Sequence, residues 1–134
     1  MLPHLTQAEL QFLHETFDLA RTGRTAVLME RVDAGVPVNL TNDSGDTLLI
    51  LAAYHAHPDT VSALLERGAD PDRVNDRGQS ALAAAVFRRS GDAAVSLLRA
   101  GADPASGGRS ALDVAAFFDL PEMTALLQNG PPPQ

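Results

Sequence analysis

The chain has 134 residues and a formal net charge of −7, and its 10 basic residues are all arginine. So acidic a chain is a poor match for a phosphate backbone, which argues against direct nucleic-acid binding. It contains no cysteine, which excludes a disulfide framework, a thiolate zinc site and a cysteine nucleophile.

The N-terminal residues predict a cytoplasmic protein and a first helix. Met1 to His4 lack the positive and apolar pattern of a secretory signal. The longest nearly apolar run, residues 47–54, is far shorter than a membrane helix, so we expect no membrane contact. Residues 6–9, Thr-Gln-Ala-Glu, fit a capping box that opens an amphipathic helix. Its apolar face would carry Leu10, Leu13, Phe17 and Ala20.

An internal repeat follows this helix. The segment Leu64–Pro71 recurs 33 residues later as Leu97–Pro104, and two complete copies of one pattern cover residues 43–75 and 76–108. A fixed period of this length predicts stacked copies of one small unit.

Each copy begins with a turn and a short helix. Residues 42–45 and 75–78 combine Asn, Asp and Gly, the residues that tolerate tight hairpins. Thr47 and Ser80 are then placed to N-cap a helix rich in alanine and leucine.

A second helix completes each copy. After a polar break, Val61, Leu64 and Leu65 lie at the spacing of one buried helical stripe. Gly68 and Gly101 occupy the position where a helix commonly ends in a left-handed residue.

The repeated pattern is a turn, then T-x-L-x-x-A-A, then a helix break, then V-x-x-L-L-x-x-G-A-D-P. This pattern resembles the ankyrin repeat. One departure is the family's T-P-L-H opening, which is Thr47-Leu48-Leu49-Ile50 here. The resemblance implies an all-α solenoid of stacked helix–turn–helix units joined by short β-hairpin-like loops. We expect a single domain over residues 1–134, comprising an N-terminal capping repeat at about 6–42, repeats at 43–75 and 76–108, a truncated C-terminal capping repeat at 109–130 and a Pro-rich tail at 131–134.

The resemblance also implies a binding surface, because similar proteins bind partners through their hairpin tips and the exposed face of their first helices. Carried onto this chain, the tips are Asp43, Asp46, Asp76 and Arg77, and the helix positions are Arg21, Tyr54, His55, Phe87, Arg88 and Phe117.

One helix position is aromatic in three successive units. Tyr54, Phe87 and Phe117 occupy it after Arg21 in the first unit, although the chain has only six aromatic residues. The rings would form a ladder along the groove, and aromatic and arginine side chains are enriched in binding hot spots. Alternatively they wedge between neighbouring helices and extend the core, or do both. Solvent exposure separates these alternatives.

The acidic tips also allow two interpretations. Asp43, Asp46 and Asp76 either form solvated turns or recognise a partner. In the second case the partner has a basic surface and association weakens with salt.

The sequence predicts no catalytic, cofactor or metal site. His55 and His57 are two residues apart, so on a helix they would point to different faces. In proteins that this chain resembles, the position of His57 hydrogen-bonds backbone around the interhelical turn. Nothing resembles a nucleophile elbow, a P-loop or a dinucleotide fingerprint.

We therefore expect a protein–protein interaction module that acts as a monomer and is not an enzyme. An alternative is an inhibitor or immunity-type regulator of one dedicated enzyme, and a third is a hydrolase or metal-dependent enzyme. The linker at residues 105–109 is three residues shorter than its counterpart in the preceding unit. Its hairpin should be stunted, which suggests a partner seated over the first three units.

Overall fold

The computed structural model describes residues 5–133 and contains only helices as regular elements in that range. Met1 to His4, to which the prediction about a secretory signal applies, and Gln134 of the tail lie outside it. The described residues form four helix pairs, which confirms the all-α prediction: α1 (Gln7–Arg21), α2 (Thr25–Asp33), α3 (Leu48–Tyr54), α4 (Pro58–Glu66), α5 (Ala81–Phe87), α6 (Gly91–Arg99), α7 (Ala111–Phe117) and α8 (Pro121–Asn129).

Side-chain caps begin the first helix of every pair. The Thr47 hydroxyl accepts from the backbone N–H of Ile50 at 3.0 Å, and Ser80 does the same in α5. Thr6 opens α1 with the predicted capping box, and Ser110 opens α7 with a second one. Each cap satisfies an N–H that has no partner inside the helix.

Left-handed residues end the helices. Gly68 (φ 86°) and Gly101 (φ 94°) follow α4 and α6, as the sequence predicts. After α3, α5 and α7 the same conformation falls on residues other than glycine: Ala56 (φ 61°), Arg89 (φ 57°) and Asp119 (φ 51°). A side chain in this conformation costs about 1–2 kcal/mol, which the packing around it must offset.

The core runs through the first helices. Residues 48–53 of α3 and residues 81–86 of α5 are all buried, and four of the latter six are alanine. Small side chains let neighbouring helices approach closely. The second helices bury a single stripe that includes Val61, Leu64 and Leu97. Among the described residues, no helix combines the length and apolarity needed to span a membrane.

The hairpin-like loops before α3 and α5 are here called the second and third fingers and span residues 41–47 and 74–80. The second finger carries an antiparallel bridge between Thr41 and Thr47, and the third one between Val74 and Ser80. Within residues 5–133 no such bridge forms in the fourth unit, in line with the short linker there. The fingers are joined to one another, because the N–H of Asp76 donates to the carbonyl of Ser44 at 3.0 Å.

Asp46 is a correction to the predicted finger tips. Its side chain does not face solvent, because the residue is only 7% exposed. The amide of Asn75 donates to the Asp46 carboxylate at 2.8 Å, from one finger to the next. Asn75 also accepts from the backbone N–H groups of Arg77 and Gln79, so it organises its own finger as well.

His57 bonds to backbone, as the resemblance implies, but its partner lies in the preceding unit, so the side chain links the first two units. Its Nε2 lies 2.8 Å from the carbonyl oxygen of Arg21, at the end of α1. Gly23 accommodates the ring, since a Cβ there would lie only 2.5 Å from the His57 Nδ1.

The amphipathic pattern predicted for α1 holds only in its second half. Phe17 and Ala20 are buried, whereas Leu10 is exposed and Leu13 is half-buried. The helix has 15 residues against 7 in α3. Its first turns therefore have less of a neighbouring first helix to pack against.

The substitution His57→Ala should lower the free energy of unfolding by about 1–3 kcal/mol, because it leaves the Arg21 carbonyl without its partner. Chemical denaturation followed by circular dichroism measures this. The control His14→Ala changes an exposed histidine of α1 and should stay within about 0.5 kcal/mol of wild type. Equal effects of the two substitutions would contradict a structural role for His57.

The substitution Asn75→Ala should lower the free energy of unfolding by about 2–3 kcal/mol, because it removes a hydrogen bond to the buried Asp46 carboxylate and the side-chain acceptor of two backbone N–H groups. Urea denaturation compares it with Asp43→Ala, an exposed residue of the preceding finger, for which we expect about 0.5 kcal/mol at most. A cost for Asn75→Ala no larger than that of this control would disprove the proposed link between fingers.

Candidate functional site

Three aromatic rings form a continuous row across α3, α5 and α7. Tyr54 is the last residue of α3 and stacks on Phe87, the last residue of α5, with centroids 6.0 Å apart and planes at 27°. Phe118, just after α7, meets Phe87 edge-on at 5.7 Å. We call Tyr54, Phe87 and Phe118 the ring row.

The third ring is Phe118 rather than Phe117, which corrects the sequence prediction. Phe117 does occupy the last position of α7, but it is 82% exposed and contacts Phe118 at 4.9 Å. Consecutive helical residues point about 100° apart. Because the backbone of Phe118 still lies near helical angles (φ −93°, ψ 4°), its ring turns toward Phe87 while Phe117 turns away.

The exposure of the rings supports a double role. Tyr54 is 36% exposed, Phe87 38% and Phe118 45%, whereas the buried hydrophobic residues do not exceed 7%. The larger part of Tyr54 and Phe87 is covered by neighbours, so they contribute to packing between units. The remaining third of each ring faces solvent and is available for contact.

A cavity of about 700 Å³ lies between the ring row and the fingers. The rings supply its apolar wall, and finger residues supply polar groups opposite them. Its lining consists of Tyr54, Arg77, Gln79, Phe87, Gly108, Arg109, Asp113, Val114, Phe117 and Phe118. The cavity thus lies over the last three units, whereas the sequence suggests a partner seated over the first three.

A smaller hollow of about 230 Å³ lies beside the second finger and shares Tyr54 with the larger cavity. Arg21 and His55 line it, and Arg21 is paired with Asp18 at 2.7 Å. Burial lowers the pKa of His55 below its ordinary value of 6.5, and the nearby positive charge of Arg21 lowers it further. His55 packs edge-on against Tyr54, with ring centroids 5.2 Å apart.

The two hollows collect most of the predicted site residues. The larger one brings Tyr54, Arg77, Phe87 and Phe117 together, and the smaller one adds Arg21, Asp46 and His55. Exposed Asp43, Asp76 and Arg88 line neither hollow.

Six residues that line the larger cavity lie outside the predicted site, namely Gln79, Gly108, Arg109, Asp113, Val114 and Phe118. Phe118 had a detectable signal, because it follows its first helix as His55 and Arg88 follow theirs. The described residues contain no group of three or more histidines or carboxylates that could hold a metal ion.

A family model described as ankyrin repeats, in three copies, matches residues 17–106. The chain belongs to the ankyrin-repeat family. Ankyrin repeats are generally protein–protein interaction modules, and the family is typically non-enzymatic.

A similar protein from Pseudomonas aeruginosa is also named as an ankyrin repeat protein. The two are 48% identical over 59 residues, which cover 44% of this chain and 34% of the relative. The match therefore spans about a third of the length of that relative.

The pKa of His55 should lie below 6.5 in the folded protein, and Arg21→Gln should move it back toward 6.5. NMR titration of the imidazole Cε1–H signal measures both values. Arg24→Gln removes an equal charge that is not among the causes of the shift and should leave the pKa unchanged.

The same shift has a consequence for stability. Because the folded pKa is the lower one, the contribution of His55 to stability is complete above the unfolded pKa near 6.5 and is lost as pH falls through the folded pKa. A His55 pKa above 6.5 in the folded protein would refute both the lowered pKa and this dependence of stability on pH.

Proposed function

We propose that this ankyrin-repeat protein binds a partner protein through the concave surface made by the ring row and the fingers. The observation that carries the proposal is the ring row itself. Three aromatic residues in successive ring contact, each at least 36% exposed, form a preorganised apolar strip. Aromatic residues, including Tyr and Phe, are enriched in protein interfaces.

The exposed large apolar side chains of residues 5–133 avoid the second helices. In residues 5–133 the large exposed hydrophobic residues lie at the start and first half of α1, on the third finger, and at or just after the ends of the other first helices. None of them lies on α2, α4, α6 or α8. A bridging adaptor would need a second binding surface, and the second helices offer no comparable apolar patch.

Individual residues take different parts in the proposed interface. Tyr54, Phe87 and Phe118 are the anchors, with Phe117 beside them at the open end. Asp46 is left out because it holds the fingers together. The proposed polar rim consists of Arg21, Asp43, His55, Asp76, Arg77 and Arg88.

Fewer acidic residues support a basic partner than the sequence suggests. It depends on Asp43 and Asp76, the two predicted acidic tips that are exposed. Charges at a rim act mainly on the rate of association and its salt dependence, so these two residues would steer an approaching partner rather than anchor it.

We also propose the repeat boundaries given above, with the outer helix pairs as caps. Hydrogen bonds between successive fingers support boundaries near residues 43 and 76. A cytoplasmic location and a monomeric state remain predictions from the sequence.

The double substitution Tyr54→Ala/Phe87→Ala should weaken partner binding at least about a hundredfold, because each anchor contributes about 2 kcal/mol or more. Affinity capture from the source cell, read by mass spectrometry, identifies the partner, and calorimetry then measures its affinity for each variant. Circular dichroism establishes that the variants are folded at the assay temperature.

The control Glu66→Ala/Gln128→Ala changes exposed residues of α4 and α8 and should bind like wild type. Undiminished binding by the double ring variant would reject the concave face as the binding surface. Loss of binding from both faces would favour an adaptor. If the partner is an enzyme that the chain inactivates, the inhibitor alternative is favoured.

A further inference from the structure

Four arginines that either line the larger cavity or directly follow its Phe87 have no carboxylate partner within residues 5–133. Arg77 and Arg109 line its finger side, and Arg88 and Arg89 directly follow Phe87. All four are exposed. Within residues 5–133, none of them lies within 4.0 Å of an acidic side chain. Arginine elsewhere in the chain is often paired, as Arg21, Arg31, Arg67 and Arg73 show.

The one carboxylate in the lining of this cavity is already in use. Asp113 accepts from the backbone N–H of Ser110 at 3.3 Å and closes the capping box of α7. The lining thus holds two arginines, Arg77 and Arg109, against this one carboxylate, in a chain whose formal net charge is −7.

An arginine beside an aromatic wall favours a carboxylate ligand that also carries apolar groups. The planar guanidinium binds carboxylates with two parallel hydrogen bonds and is less strongly hydrated than an ammonium group. Arg89 already lies over the Phe118 ring, with its guanidinium carbon 5.8 Å from the ring centroid. The apolar and the positive groups of this site are thus adjacent, so one ligand segment can contact both.

The opposed walls also limit the sequence of that segment. In an extended chain, successive side chains point to opposite sides and residues advance about 3.3 Å each. Side chains at alternate positions would face the ring row, and those between them would face Arg77 and Arg109. Adjacent units repeat at about 10 Å, and acidic residues two or four positions apart on one side of an extended chain, about 7 or 13 Å, bracket that spacing.

We propose that the larger cavity binds an extended acidic segment of the partner, in which an aromatic or aliphatic side chain packs on the ring row and flanking carboxylates pair with Arg77 and Arg109. This inference rests on the proposed function, since it names the partner segment of the same surface. The carboxylate belongs to an Asp or Glu side chain or to the C-terminus of the segment.

Selection from a phage-displayed library of random 12-residue peptides tests the proposal on the full chain. The enriched peptides should alternate acidic with aromatic or aliphatic residues. One enriched peptide, synthesised with a free and with an amidated C-terminus, then distinguishes a terminal carboxylate from side-chain carboxylates. Its affinity should fall as salt is raised, because the pairing is partly exposed to solvent.

Two variants separate charge from apolar contact. Arg77→Gln/Arg109→Gln should weaken the peptide at least tenfold and flatten its salt dependence. The control Arg24→Gln/Arg99→Gln removes two arginines that line neither cavity and should stay within twofold of wild type. Phe87→Ala should weaken the same peptide at least tenfold.

The outcomes distinguish this inference from the proposed function. Enrichment of basic or neutral peptides, no enrichment, or an acidic peptide whose affinity is unchanged by Arg77→Gln/Arg109→Gln overturns the acidic-segment inference. If an acidic peptide is unaffected by Arg77→Gln/Arg109→Gln but is still weakened by Phe87→Ala, the concave face is retained as the binding surface. Peptides insensitive to both variants count against the proposed function as well.

Discussion

The close approach of successive first helices is the constraint on which the rest of the structure depends. Residues 48–53 and 81–86 are buried, and alanine at so many of these positions lets the helices pack with little side-chain volume between them. One unit alone cannot bury such helices on all sides, so each unit needs a neighbour. The same spacing brings Tyr54 within stacking distance of Phe87, which makes the ring row a direct consequence of core packing.

Polar links between units hold this arrangement in register. Hydrogen bonds run from His57 to the carbonyl of Arg21, from Asn75 to Asp46, and from the N–H of Asp70 to Asn39. Because packing among small apolar residues has little directional preference, such bonds define how one unit sits on the next. A surface fixed in this way loses little conformational entropy on binding, which favours recognition by a preformed groove.

The sequence predicted the scaffold well because its signals are local and repeated. Helix caps at Thr47 and Ser80 and the left-handed Gly68 need only a few neighbouring residues to be recognised. The site was harder, because it depends on contacts between units. The burial of Asp46 follows from a residue 29 positions away, and the choice of Phe118 over Phe117 follows from side-chain direction at a helix end. The position of a residue within its repeat determines neither its burial nor the direction of its side chain.

Modularity gives the ring row a meaning beyond this one chain. Successive units meet through finger and helix contacts, so duplication of a 33-residue segment at the junction between Asn75 and Asp76 would add one unit to the stack. The duplication would add one ring to the ring row and one finger to the stack. Ligand length could therefore evolve in discrete steps by gene duplication, with each step of about 10 Å adding roughly three residues of an extended ligand.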